Sequence, residues 1–136
     1  MAADFSVVGE TRDMHPIVRD EIYRIVYEAI RNAFVHSRAG RLAVELKYEQ
    51  DLSVRVSDDG VGIDPDVSDK GKTGHFGIQG MRERAARIGA RLTFISSPGS
   101  GTEITLVVPG KIIFRNPPRT RFAFLKSVLR KLRVRR

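Results

Sequence analysis

The chain has 136 residues, 41% hydrophobic and 29% charged, with 24 Lys and Arg against 16 Asp and Glu, the balance of one globular domain rather than of a disordered or fibrous chain. No apolar run approaches the roughly 20 residues of a spanning helix, and the start has no basic segment followed by an apolar one, so a cytosolic setting is expected. With no cysteine, and with His15, His36 and His75 far apart in sequence, disulfides, thiolate zinc sites and cysteine nucleophiles drop out.

Phe5 to Val8 reads as a short strand. From Val18 the residues Ile22, Ile25, Val26, Ala29, Ile30 and Ala33 recur at helical spacing behind Pro16, which predicts a helix over about residues 16 to 36. The period then changes to two. Leu42, Val44, Leu46 and Tyr48, then Leu52, Val54 and Val56, alternate with polar residues around the Glu49-Gln50-Asp51 turn and predict a hairpin. Residues 57 to 77 are polar and rich in glycine, a long loop of the functional or disordered kind. Ile78, Met81, Ala85 and Ile88 restart a helical stripe that ends at Gly89, and Arg91 to Ser96 and Thr102 to Val108 form a second hairpin stopped by Pro109-Gly110. This order lacks strict βαβα alternation and predicts an α/β fold, a two-layer α/β sandwich with a mixed sheet covered by helices on one face.

Three segments could carry chemistry. Glu28, Asn32 and His36 advance about 40° per step along one margin of the helix's apolar face, as a polar site or as a solvated edge. Asp58 shares the inward parity of Leu52, Val54 and Val56 while Asp59 points outward, so Asp58 is either a buried carboxylate that needs a donor, such as an adenine amine, or part of an Asp-Gly turn. Gly60 and Gly62 remove side chains that would hold a planar ligand away from the backbone. Third, Gly74, Gly77 and Gly80 lead into a helix whose first N–H groups suit phosphate, with Lys70, Lys72 and His75 nearby; a surface loop is the alternative. A P-loop fails because its first glycine would be Asp66, and a dinucleotide fingerprint from Gly60 fails because its third glycine would be Pro65.

Taken together, Glu28-xxx-Asn32-xxx-His36, Asp58-x-Gly60-x-Gly62, Gly74-xx-Gly77-xx-Gly80-Met81-Arg82-Glu83-Arg84 and Gly99-x-Gly101-Thr102 resemble the N, G1, G2 and closing glycine boxes of sensor histidine kinase ATP-binding domains, in particular those of the nitrate-sensor type. The resemblance covers about residues 5 to 109. It implies the Bergerat ATP-binding fold shared with gyrase, chaperone and mismatch-repair ATPases, and a kinase that passes the γ-phosphate of Mg-ATP to a histidine. By that similarity Asp58 would accept a hydrogen bond from adenine N6, and Gly60 and Gly62 would shape the base pocket. Asn32 would hold Mg²⁺, and Glu28 would polarise the nucleophile. Residues 64 to 76, with His75, would form a lid. Gly77 and Gly80 would open onto the phosphates and Thr102 would complete the pocket floor, with His36, Ile63, Ile78 and Met81 also at the nucleotide. Two positions depart from the pattern: Val35 stands where lysine is frequent, with Arg38 nearby, and Gly74-His75-Phe76-Gly77 is one residue longer than Gly-His-Gly.

The implied partners are a helical dimerisation and phosphoacceptor domain, expected to be absent from this chain, and a response regulator downstream. A sigma-factor serine kinase shares the fold and is the runner-up. Residues 1 to 110 hold 14 basic and 16 acidic groups, whereas residues 111 to 136 hold 10 basic and no acidic ones. A boundary is therefore expected near Gly110, followed by a basic tail that is solvated or an amphipathic helix on an acidic membrane surface. A noncatalytic module acting through this tail is a further alternative; no sequence-specific nucleic-acid contact is expected.

Overall fold

The structure, a computed structural model, describes residues 1–62 and 77–115. Five strands form one mixed sheet in the order β1-β2-β3-β5-β4: β1 (Ala2–Val8), β2 (Arg41–Tyr48), β3 (Leu52–Asp58), β4 (Arg91–Ser96) and β5 (Thr102–Val108). The two expected hairpins are joined by antiparallel pairing of β3 with β5, and β1 runs parallel to β2 along one edge. Helices α1 (Pro16–Val35) and α2 (Ile78–Arg87) cover one face, and a single turn, α3 (Gly110–Ile113), follows the sheet.

The core follows from the two periods. Val18, Ile22, Ile25, Ala29 and Ala33 of α1 and Ile78, Met81 and Ala85 of α2 meet Leu42, Val44, Leu52, Val54, Val56, Ile104, Leu106 and Val108 from the inward rows of the sheet. The opposite sheet face stays polar, with Arg55 bridging Glu45 at 3.6 Å and Glu103 at 3.5 Å across three strands. Strand β1 is exposed along its whole length, so hydrogen bonding to β2 holds it rather than burial. Helix α1 begins with Pro at its first turn, where a missing N–H costs nothing, and its end is closed by Ser37, whose Oγ donates back to Ala33 O. Helix α2 ends as its glycine suggests: Gly89 has φ +69°, and Ala90 N–H donates to Ala85 O at 2.9 Å.

The chain does not leave the fold at Gly110. Ile113 is fully buried, His15 N–H donates to Ile113 O at 2.8 Å, and Phe114 stacks on Tyr48 while Arg12 lies 4.0 Å over its ring. The excess of positive charge hid this, because charge counting gives no weight to the apolar run Ile112-Ile113-Phe114. Residues 116–136, and with them the amphipathic stripe of the tail, lie outside the described residues. Among the described residues no helix is long and apolar enough to cross a membrane.

Two glycines give opposite expectations for stability. A Cβ at Gly60 would lie 2.1 Å from Ser37 O, whereas one at Gly80 in α2 meets nothing within 4 Å. Gly60→Ala should therefore cost about 3 kcal/mol or prevent folding, and Gly80→Ala should stabilise by up to about 1 kcal/mol. Urea unfolding followed by circular dichroism measures both.

Candidate functional site

The register of the sheet decides where the Asp58 carboxylate goes. Asp58 pairs with Leu42 on β2 and with Thr102 on β5, two positions on the helix-covered face. It therefore faces α1, where it shares a narrow hollow with Asn32 and Thr102, walled by Ala29, Val56 and Ile104. Asp58 Oδ1 accepts the Gly60 N–H at 2.9 Å. Burial pushes the carboxyl above its ordinary pKa, against the lowering pull of backbone N–H groups at Gly60 and Thr102. Asp59, one residue on, is on the surface. Its Oδ1 accepts the Arg41 and Gly40 N–H groups at 2.9 Å each, and these hold its pKa below the ordinary value.

The glycines around Asp58 are required by the protein's own backbone. Gly60 packs against Ser37 after α1; Gly62, at φ +77°, approaches Ser97 O; and Gly101, also at φ +77°, has Asp58 O where a Cβ would stand. Glycine at 60 and 62 lets the segment after β3 lie between the end of α1 and the β4–β5 turn, where Val61 N–H reaches Ser37 O at 2.7 Å and Gly99 N–H reaches Val61 O at 2.6 Å. Thr102 is buried and its Oγ1 lies 2.9 Å from Ser96 Oγ.

Along α1 the polar positions separate. Asn32 is buried, and its Oδ1 meets no donor among the described residues, although the residue has a contact elsewhere. One turn earlier, Glu28 lies against Gly77: a Cβ there would come within 2.6 Å of Glu28 Oε1. Gly77 has φ +66° and immediately precedes α2, so the glycine run and the α1 carboxylate come together from residues far apart in sequence. A cleft of about 550 Å³ opens from this contact between α1 and α2, lined by Glu28, Gly77, Gly80 and Met81 and by Tyr23, Arg24, Tyr27, Arg31 and Arg84. Arg31 pairs with Glu28 at 3.5 Å, and Arg84 with Glu21 at 3.3 Å across the two helices.

Not every expected residue reaches these hollows. His36 caps the end of α1, with its N–H on Asn32 O, and Ser37 rather than His36 lines the Asp58 hollow. Ile78 is a core residue, and Met81 is buried in the core with an edge on the cleft. Arg38 is exposed in the turn after α1, at φ 52°. Ile63 and His75 fall outside the described residues. The outer wall formed by Tyr23, Arg24, Tyr27 and Arg31 carried no sequence signal, since exposed aromatics and arginines on a helix are ordinary until a second helix is seen beside them.

The two neighbouring carboxylates should respond oppositely to pH without any ligand. The raised Asp58 favours the fold only when protonated, a contribution present below the unfolded pKa near 4 and lost as pH rises through the raised folded value. The lowered Asp59 contributes above the unfolded pKa and loses that contribution as pH falls through its depressed folded value. At pH 7 Asp58→Asn should melt at or above the wild-type temperature and Asp59→Asn below it, with the Asp59→Asn deficit shrinking in acid. Melting curves from pH 3 to 8 check both signs.

Comparison with known proteins identifies the family and the fold. Residues 17–112 match the family described as histidine kinase-, DNA gyrase B-, and HSP90-like ATPase. An uncharacterised sensor-like histidine kinase of Chloroflexus aurantiacus is 33% identical over 79% of this chain and 20% of its own length. The sensor histidine kinase LiaS of Bacillus subtilis is 39% identical over 68% of this chain and 25% of its own length. The chain thus spans about a fifth to a quarter of the curated relatives it matches. Among solved structures, the histidine kinase domain of the blue-light activated kinase of Erythrobacter litoralis superposes with a TM-score of 0.62 and 28% identity, covering 79% of this chain and 55% of that one. With a family match running from the start of α1 into α3, the chain belongs to the histidine kinase-, DNA gyrase B- and HSP90-like ATPases.

Proposed function

We propose that this chain is the ATP-binding catalytic part of a two-component sensor histidine kinase, which binds Mg-ATP on the cytoplasmic side and gives its γ-phosphate to a histidine on a separate dimerisation domain, from which a response regulator is then served. The observation that carries the reading is the Asp58 carboxylate, turned into the covered face of the sheet beside Asn32 and Thr102. An acceptor placed at that cost suits a ligand that brings a donor, as the adenine N6 amine does. The hollow is narrow, so seating a purine there calls for local rearrangement of its walls.

From Asp58 the site extends past Asn32 to Glu28, Gly77 and the cleft. The N-terminus of α2 faces that cleft through Gly77 and Gly80 and offers N–H groups to phosphate oxygens. Asn32, with its buried carboxamide oxygen, fits the hard oxygen chemistry of Mg²⁺, which takes few protein ligands; the ion would supply charge neutralisation at the phosphates. Glu28, held against Gly77 and paired with Arg31, would accept a proton from, or orient, an incoming nucleophile. Residues 116–136 are not needed for this reading.

Binding of a fluorescent ATP analogue tests it. Asp58→Asn should weaken affinity by about tenfold to a hundredfold, since a carboxylate that only accepts becomes an amide that can present a donor, while Asp59→Asn changes it little. Asn32→Ala should remove the Mg²⁺-dependent part of the affinity; equal losses at positions 58 and 59, or unchanged magnesium dependence, would count against the assignment. With radiolabelled ATP the chain alone should acquire no acid-labile label, because of its three histidines His15 and His36 are end residues of α1 and His75 belongs to the proposed lid. Labelling should require an added acceptor domain, and label on this chain by itself would contradict the division of labour.

A further inference from the structure

The cleft between α1 and α2 carries more positive charge than its neighbouring carboxylates neutralise. Three guanidinium groups line it, from Arg24, Arg31 and Arg84. Arg31 is paired with Glu28 and Arg84 with Glu21. The Arg24 guanidinium makes no ion pair or hydrogen bond with the described residues, and it stands exposed at the cleft wall.

Its place along the helix is informative. Asn32, Glu28 and Arg24 follow one another at intervals of four residues, about 6 Å of rise each. Asn32 shares the Asp58 hollow, Glu28 touches the Gly77 position, and Arg24 lines the cleft one turn further along α1. A ligand anchored at Asp58 and running past the start of α2 therefore ends beside Arg24. In a nucleoside triphosphate that end is the terminal phosphate, the group most distant from the base and the one a diphosphate lacks. The Glu28 carboxylate would repel such a group, and Arg31 offsets only part of that repulsion because it is shared with Glu28 itself. The stacked pair Tyr23 and Tyr27, 6.3 Å between ring centroids, lines the same cleft.

We infer that Arg24 binds the terminal phosphate and is the residue by which the site prefers a nucleoside triphosphate to a diphosphate. This assignment rests on the nucleotide-binding reading above. Its guanidinium can meet two phosphate oxygens at once, which a lysine ammonium cannot do in the same fixed geometry. Arg24 is exposed and outside the core, so its substitution leaves the fold intact.

Calorimetric titration of the full chain with Mg²⁺ and either ADP or the nonhydrolysable ATP analogue AMP-PNP decides the matter. Arg24→Ala should weaken AMP-PNP binding by about tenfold or more, leave ADP within about twofold, and so abolish most of the preference between them. Arg24→Lys should restore part of it. Equal losses for both nucleotides, or no loss for either, would overturn the assignment and return Arg24 to the role of a solvated surface charge. A wild-type chain that binds neither nucleotide would overturn the nucleotide reading and this inference with it, an outcome distinct from the variant data.

Discussion

A carboxylate on the covered face of a β-sheet is the constraint around which this protein is arranged. Asp58 stands in a row that is otherwise apolar along β3, and desolvation there works against its charge. Aliphatic packing alone would not tolerate it. What makes it tolerable is a set of close backbone approaches: Gly60 turning its N–H back to Oδ1, Gly101 letting the start of β5 lie against Asp58, and Ser37 bringing the end of α1 down onto Gly60. Each approach is open only to a residue without a side chain, so the glycines that look like room for a ligand are first of all what seats the carboxylate.

The same geometry links the two helices to the chemistry. Helix α1 is held to the sheet by its apolar stripe, and that stripe fixes which of its polar residues face inward. Asn32 is drawn under the helix beside Asp58, while Glu28, a turn earlier, is left at the margin where α2 begins. Helix α2 is positioned by Ile78, Met81 and Ala85 in the core, with the Arg84–Glu21 bridge beside them, and its start sets Gly77 against Glu28. The pair is only half-exposed and joins residues far apart in sequence. It links the two helices beside the cleft that Arg84 lines.

Much of this was legible in the sequence, for identifiable reasons. The change of period from helix to strand located α1 and both hairpins, and strand parity chose Asp58 over Asp59, because a period of two leaves no freedom about which neighbour faces inward. Less could be seen where function depends on tertiary approach. That glycines 60 and 62 answer to Ser37 and Ser97 needs the end of α1 and the β4–β5 turn in place. That Ile113 and Phe114 belong to the core was masked by the cations around them. His36 ends a helix rather than lining the hollow, since the residue after it turns inward instead. The cationic cleft wall exists only as a relation between α1 and α2, so no single stretch of sequence announces it.

The central claim is that the base of a nucleotide lies on Asp58, between α1 and the inward rows of β3 and β5. Intermolecular nuclear Overhauser effects from the adenine protons of bound Mg-ATP test it most directly. Contacts to the methyl groups of Ala29, Val56 and Ile104, which wall the Asp58 hollow, are expected. Adenine contacts confined to Tyr23 and Tyr27, with those methyl groups untouched, would place the base at the outer end of the cleft and contradict the account.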